Sequence, residues 1–435
     1  MHSAMVAAEQ KPATAELGMV VWQAVGAAAE IAHNVSPTYL VPGDRHHVAV
    51  EVGDDPDRTG NEADLSLGTE GSRVRARHVL GPGDRAYCAL SWAQVLAGPQ
   101  DADEAEARIA ATIRYWRAWL GWPEVGRVVI RPSGEQIEIA AGDQQAVVVE
   151  VGGGLRSYSA GGRELVDGYG ANEMSSSGRG QVLIPWPNRL QDGSYEFDGR
   201  RHQLALNEPE HQNAIHGLVR WTAWTTSERD PHRVVMEQVL YPQPGYPFSV
   251  RLSIEYAVSD SGLRVRTTAT NVGTDPCPYG SGAHPYLTLG TATVDGLILR
   301  VPARTVLRSD ERGLPIGTEA VENTEYDFRH PRQIGSTRLD HAFTDLDRDK
   351  DGVARVELRD LDHGTRVSLW VDESYPYLML FSGDPLPDVR RRSLAVEPMT
   401  CPPNAFRTGD ALVRLKPGAS FTGTWGIAGG RIGAK

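Results

Sequence analysis

An all-β chain, built as a large antiparallel sandwich behind an N-terminal β/helix appendage, is predicted by three observations. Apolar and polar residues alternate over much of the chain. Turn signals separate the alternating runs, and helical periodicity is confined to one early stretch. Val250, Leu252, Ile254, Tyr256 and Val258 alternate with Arg251, Ser253, Glu255 and Ala257. After Ser259-Asp-Ser-Gly262 the alternation resumes at Leu263, Val265 and Thr267, a hairpin with one buried face. Val356 and Leu358, then Asp362-His-Gly364, then Val367, Leu369 and Val371 form another. Tyr195-Glu-Phe-Asp-Gly-Arg200 carries the Asp-Gly pair of a tight hairpin turn. The 46 glycines and 28 prolines form no low-complexity run, which suits a chain that turns often.

The first 130 residues read differently. Ile109, Ile113, Trp116 and Leu120 share one face of a helix predicted over Asp101–Leu120, with Asp101, Asp103, Glu104 and Glu106 at its positive end. Short strands are expected at Arg73–Leu80 and Ala86–Leu90, around Gly81-Pro-Gly-Asp84. Two prolines and three glycines fall between Gly121 and Gly134, where the boundary is placed: an N-terminal segment over 1–125 and a main domain over 134–429.

A formal charge of −12 without a basic cluster argues against nucleic acid and anionic membrane as partners. The apolar run Gly18–Ala32 is broken by Gln23 and Glu30 and preceded by Glu9 and Glu16, so neither an export leader nor a transmembrane span is expected. Cys88, Cys277 and Cys401 are scattered, without C-x-x-C spacing; free thiols in a reducing cytoplasm are expected, not a disulfide framework or zinc site. Cys401 lies near Glu397 in sequence and could line a pocket. Asp347, Asp349, Asp351 and Gly352 mimic a calcium loop, but the acid required six places after the glycine is Leu358. A charged hairpin loop is the expectation there, with no metal.

Five motifs carry chemistry: Ile184-Pro-Trp-Pro-Asn-Arg-Leu190, Ala214-Ile-His-Gly217, Gly282-Ala-His-Pro-Tyr-Leu287, Leu339-Asp-His-Ala-Phe343 and Val396-Glu-Pro-Met399. They supply isolated histidines, two carboxylates and an Asn-Arg pair, with no cofactor fingerprint. Such a set suits proton transfer on a small, uncharged, hydroxyl-rich ligand. Proton transfer on such a ligand needs a base and an acid, each with a pKa within reach of neutrality. Histidine has that without help, and a buried carboxylate approaches it. Glu397 precedes a proline, an extended strand-end setting that presents a side chain into a cleft.

In their order these motifs resemble the aldose 1-epimerase, or galactose mutarotase-like, family from about Gly134 to Ile427. The resemblance implies that family's distorted β-sandwich and a cofactor-free exchange of α and β anomers of a free hexose, glucose- or galactose-like. It implies Glu397 as base and His284 as acid. His216 would bind near the ring oxygen and anomeric region, Asp340 would accept from hydroxyls, and Asn188 and Arg189 would bind hydroxyls and orient Glu397. The rate would then fall at low pH as Glu397 is protonated and at high pH as His284 loses its proton. Trp186 is a candidate stacking platform, although an aromatic in a β-protein is more often core. His341 is the weakest member and would at most support its loop. The Pro-Met-Thr-Cys-Pro-Pro stretch after Glu397 departs from the Thr-Gln-type continuation of the best-known galactose mutarotases, so the preferred aldose stays open. A monosaccharide partner, a cytoplasmic location and a monomer or homodimer are the matching expectations. A non-catalytic carbohydrate-binding protein on the same fold is the alternative; retention of both Glu397 and His284 favours the enzyme.

Arg75-Ala-Arg-His-Val-Leu80, Gly83–Trp92 and Thr112–Trp119 resemble the end of the N-terminal β-sandwich and following helix of glucoamylase/trehalase-type glycoside hydrolases. The helical barrel that carries that family's catalytic carboxylates is missing, so hydrolysis is not carried over, and the segment is expected to be a structural appendage.

Overall fold

The computed structural model describes residues 130–433, apart from Asp388, in full. Before them it gives chiefly the backbone course of six strands between Met19 and Ser91, in two three-stranded sheets. The strands expected at Arg73–Leu80 and Ala86–Leu90 correspond to Arg73–Leu80 and Arg85–Ser91. The helix expected over Asp101–Leu120 falls almost entirely outside the described residues. The chain divides into two compact units, Met1–Val128 and Val129–Lys435.

The second unit is nearly all-β and antiparallel. A nine-stranded sheet runs, in spatial order, Thr225–Asp230, Arg233–Leu240, Val250–Ser259, Gly262–Asn271, Ser420–Arg431, Thr365–Val371, Ala354–Asp360, Ile298–Arg300 and Arg332–Gln333. The predicted hairpins lie at its centre: Val250 to Val258 are buried at every second position, and Ser259 pairs with Gly262 across the turn. At the smaller hairpin Ser194–Phe197/Arg200–Gln203, Asp198 and Gly199 both take left-handed φ, 51° and 71°, as the tight turn requires. In the loop Asp347–Gly352, Asp347 pairs with Arg304 at 2.7 Å. Asp349 accepts the amide N–H of Asp351 and an Arg355 guanidinium N–H, both at 2.9 Å.

Facing this sheet is an eight-stranded one, ordered Val182–Leu183, Gly282–Ala283, Leu394–Met399, Tyr377–Phe381, Asp340–Leu346, Ala303–Ser309 and Pro315–Ala320, with Tyr286–Leu287 also paired to Leu394–Met399. Paired residues in a sheet share a face, and faces alternate along each strand. Phe343, Leu378, Leu380, Leu394 and Val396 therefore point one way and join Val250, Leu252, Ile254 and Tyr256 of the other sheet in one continuous core. Ala342, Met379 and Met399 point the other way, with Leu307, into a small cluster of their own. Glu397 pairs with Met379, and Met379 with Ala342, so Glu397 stands on this second face; Asp340, two places from Ala342, stands there too.

The packing predicts that Phe343→Ala, deep in the shared core, costs about 3–5 kcal/mol of stability. Denaturant unfolding with an unchanged m-value is the check.

Candidate active site

Glu397 does not sit at a strand end, as the following proline suggested. Strand Leu394–Met399 runs through it, and Pro398 lies opposite Leu378. The strand on the other side is split into Gly282–Ala283 and Tyr286–Leu287, with His284 and Pro285 in the break. Gly282 pairs with Met399 and Tyr286 with Ala395, one continuous register that sets His284 directly across from Glu397 in the gap. His284 Nε2 lies 3.3 Å from Glu397 Oε1, with both residues almost wholly buried. The imidazole stacks on Tyr286, ring centres 4.9 Å apart and planes within 11°. Gly178 presses on its edge; a Cβ there would come within 2.5 Å of His284 Cδ2.

Two loops close in from the side. Arg189–Gln191 pairs with Asn213–Ile215, the His216 amide donates to the Asn188 carbonyl at 3.0 Å, and the Leu218 amide to the Ile184 carbonyl at 2.7 Å. This stitching holds Asn188 and His216 in the left-handed region, at φ 54° and 64°, which non-glycine residues seldom occupy and which is held here by the surrounding contacts. Gly217 is obligatory in the same turn, because a Cβ would lie 2.0 Å from the Ile184 carbonyl oxygen at a φ of +69°. His216 is thereby brought edge-on to His284, ring centres 5.4 Å apart. Asn188 turns its side-chain oxygen to the Arg189 amide at 2.8 Å.

Arg189 is locked by Glu208. Its Nε and Nη2 donate to the two carboxylate oxygens at 2.9 to 3.1 Å, the fork-on-fork geometry that makes an arginine–carboxylate pair directional. Glu208 also accepts from the Asn213 side-chain amide at 3.0 Å. Asp340 stands in the electrostatic field of both Arg189 and Glu397. His341 points away, its ring 4.5 Å from that of Tyr326. Trp186 is buried against Phe406 at 5.6 Å, the setting of a packing residue.

The electrostatics differ from the expectation of two groups each near neutrality. Burial first, and the charge of Asp340 second, raise the Glu397 pKa well above the carboxylate range; Arg189 offsets only part of this. Burial first, with Arg179 and Arg220 nearby, depresses His284 to about 3. His216 is likewise held well below its usual value by burial, then by His284, Arg220 and Arg189. Asp340 is raised, desolvation being the first cause, although its side chain is solvent-exposed and screening tempers the effect. Burial thus disfavours the charged form of both members of the pair. Cys401 is wholly buried and its thiol is pushed up to about 12, so it is no nucleophile; Cys277 is a buried free thiol as well.

Among the described residues ten buried side-chain polar atoms have no protein partner, and five belong to this cluster: Arg179 Nε, His216 Nδ1, Arg220 Nε, His284 Nδ1 and Glu397 Oε2. Native interiors leave few such atoms, and their concentration marks a place that accepts polar groups. The roomy groove of about 720 Å³ around Arg156, Tyr169, Thr288 and Arg392 contains none of the motif residues and is a separate feature.

Comparison with known proteins assigns the arrangement to a family. The aldose 1-epimerase profile matches residues 135–428. The chain belongs to the aldose 1-epimerase family. It is 36% identical to the uncharacterized Escherichia coli K12 protein YihR over 287 residues, covering 66% of this chain and 90% of YihR. It is 26% identical to human galactose mutarotase over 181 residues, covering 39% of this chain and 50% of that enzyme. Among solved structures, the Caenorhabditis elegans aldose epimerase homologue aligns with a TM-score of 0.62 at 20% identity, over 68% of this chain and 99% of that one. An aldose 1-epimerase homologue from Escherichia coli gives 0.59 at 19%, over the same shares. At such identity the structures speak for the fold, which is galactose mutarotase-like.

Sequence reasoning passed over Glu208, Arg179, Arg220 and Tyr286. Glu208 offered one signal, an acid directly before a proline. The two arginines offered only the nearby Gly178 and Gly180 and the His216-Gly217 turn. Tyr286 lay within a quoted motif without a role.

Two outcomes are expected. The His284 ring signals in NMR should hold still from about pH 8 to about pH 5, a range in which an unperturbed histidine titrates. Glu208→Gln should raise KM for the sugar by roughly tenfold, about 1.4 kcal/mol, by freeing Arg189 from its fork. Steady-state anomeric exchange measures the second.

Proposed function

We propose that this chain interconverts the α and β anomers of a free hexose by acid/base ring opening. The observation that carries the reading is the buried His284–Glu397 pair at 3.3 Å, in which burial disfavours the charged form of each group. A sugar entering with its own hydroxyl donors replaces the solvation that Glu397 Oε2 has lost. Passage of a proton from Glu397 to His284 then leaves the ionised base and charged acid, with no change in the total. Glu397 takes the anomeric proton, His284 protonates the ring oxygen, and the pyranose C1–O5 bond breaks. The open aldehyde turns about its C1–C2 bond. His284 removes the new hydroxyl proton, and Glu397 returns its proton to the carbonyl oxygen as the hydroxyl adds from the other face. No atoms are gained or lost. His216, Asp340 and Arg189, the last fixed by Glu208, hold hydroxyls.

The groups of such a pair titrate as a unit. A second proton enters only as the pH falls through the depressed His284 value, and the last leaves only as the pH rises through the raised Glu397 value. Activity should therefore form a plateau wider on the acid side than that of an enzyme relying on an ordinary histidine.

The first test is polarimetry or exchange NMR on freshly dissolved α-glucose and α-galactose with chelator present. Absence of acceleration for every aldose tried moves the reading to a sugar-binding protein. Glu397→Gln and His284→Asn should each lower turnover by roughly a hundredfold or more, the scale of a lost general base or acid. Arg189→Met and Asp340→Asn should act mainly on KM. A chain starting near Gly126 should keep its rate if residues 1–125 are the structural appendage we propose.

A further inference from the structure

The four-stranded sheet, ordered Arg163–Glu164, Leu155–Ala160, Gln144–Val149 and Gln136–Ala141, has two unlike faces. Ile137, Ile139, Ala146, Val148 and Tyr158 turn inward and join the core. The outer face is polar. Register sets Glu138 beside Val147 and Val147 beside Ser157, then Gln145 beside Ser159 and Ser159 beside Glu164. This face floors the groove of about 720 Å³ that lies apart from the motif residues, a volume within the ~300–1,000 Å³ of small-molecule sites.

An outer sheet face is ordinarily open to water. This one is walled. The segment Asp167–Glu173 folds over it and is pinned at several points. The Asp167 amide donates to the Tyr286 carbonyl at 2.8 Å. Gly168 lies so close to the neighbouring strand that a Cβ would come within 1.9 Å of the Arg156 carbonyl oxygen. Arg156 Nη1 donates to the Tyr169 carbonyl at 3.1 Å, the Gln136 side-chain amide to the Ala171 carbonyl at 2.7 Å, and the Gly170 amide to Glu173 at 2.9 Å. Such a wall is preformed, which spares a ligand the cost of ordering it.

Within the groove much hydrogen-bonding capacity is unused. Arg392 and Asp167 answer each other at 2.7 and 3.1 Å. By contrast, Glu138, Gln145, Ser157, Ser159 and Glu164 line the groove and make no side-chain hydrogen bond or ion pair among the described residues. Arg156 has no carboxylate partner there, although Glu164 and Tyr169 both stand in its field.

These groups decide what fits. An anion would meet two free carboxylates, and a cation would meet Arg156. A neutral ligand rich in hydroxyls finds acceptors in Glu138 and Glu164 and donors in Arg156, all charge-assisted. Val147 and Val166 on the floor and the Tyr169 ring in the wall suit the C–H faces of sugars. The unused groups also repeat. Each of the four strands contributes at least one, and strands lie about 4.8 Å apart, close to the rise of one pyranose along a glycan chain. Four strands span roughly 14 Å, which matches two or three linked sugars better than one.

We propose that this groove is a second carbohydrate site, which takes two or three linked neutral sugars across the outer face of the four-stranded sheet. It is separate from the His284–Glu397 cleft and does not depend on what that cleft catalyses.

The test uses the full chain and the methyl glycosides of maltotriose, cellotriose, xylotriose and mannotriose, which lack the free anomeric hydroxyl that the proposed reaction needs. Ligand-observed NMR at about 10 mM should show binding of at least one, roughly tenfold tighter than methyl glucoside. In the intact protein, hydrogen exchange should then slow in Asp167–Glu173 and stay unchanged in Leu394–Met399. Tyr169→Ala removes the ring and Ser159→Trp fills the groove. Each should weaken trisaccharide binding roughly tenfold and leave anomeric exchange of glucose unchanged, whereas Glu397→Gln should do the reverse. Binding of none of the four, methyl glucoside binding as well as the best of them, or tighter binding of spermine or trigalacturonate overturns the proposal. So does protection confined to Leu394–Met399, which decides the matter even where the variants fail to fold. If glucose does not exchange at all, the mutarotase reading falls, and binding with protection of Asp167–Glu173 still upholds the groove.

Discussion

The site depends on an interruption in one β-ladder. The strand beside Leu394–Met399 pairs at Gly282 and again at Tyr286; in between it leaves the regular ladder but keeps register, with the Val396 amide still donating to the Pro285 carbonyl at 3.1 Å. In the break an acid and an imidazole face each other across two strands, at a separation the sheet itself sets. Loops add His216, Asn188 and Arg189, but the pair proposed to react is anchored on neighbouring segments of one sheet, which favours a constant geometry.

Burial does the chemical tuning. A histidine and a carboxylate in water at pH 7 would be neutral or charged independently. Here desolvation penalises both charged forms, so the two compete for one proton. The surrounding arginines tilt this competition against a charged histidine, and Asp340 tilts it against a charged Glu397. A ligand rich in hydroxyls can reverse the balance at little cost, because it replaces lost water contacts by hydrogen bonds already directed at the reacting atoms.

Much of this was legible in the residues. The hairpins at Val250–Asn271 and Ala354–Val371 follow from alternation because one face of each strand is core. The motif residues His216, His284 and Glu397 are recognisable by order and kind. The register that sets His284 against Glu397 was hidden, since it depends on strands far apart in the chain. So were the roles of Glu208, Arg179 and Arg220. A lone charged residue looks like surface until its partners are known. Trp186 looked available and is packed, because the loop that carries it turns its ring toward Phe406. The pKa order was also out of reach, as it depends on how completely the pair is enclosed.

The eight-stranded sheet gives its two faces to different tasks: Leu378, Leu380 and Val396 serve the core, and the opposite face carries Glu397 beside the small Met379 cluster. This constrains how such a protein can diversify. A single insertion within Leu394–Met399 or Tyr377–Phe381 would exchange the two faces and destroy core and chemistry together. Length changes in the stretch that carries Glu208, or around Gly178, touch neither face. Lineages descending from this scaffold can thus alter what they recognise by remodelling loops, while the strands beneath admit substitution but not a change of length.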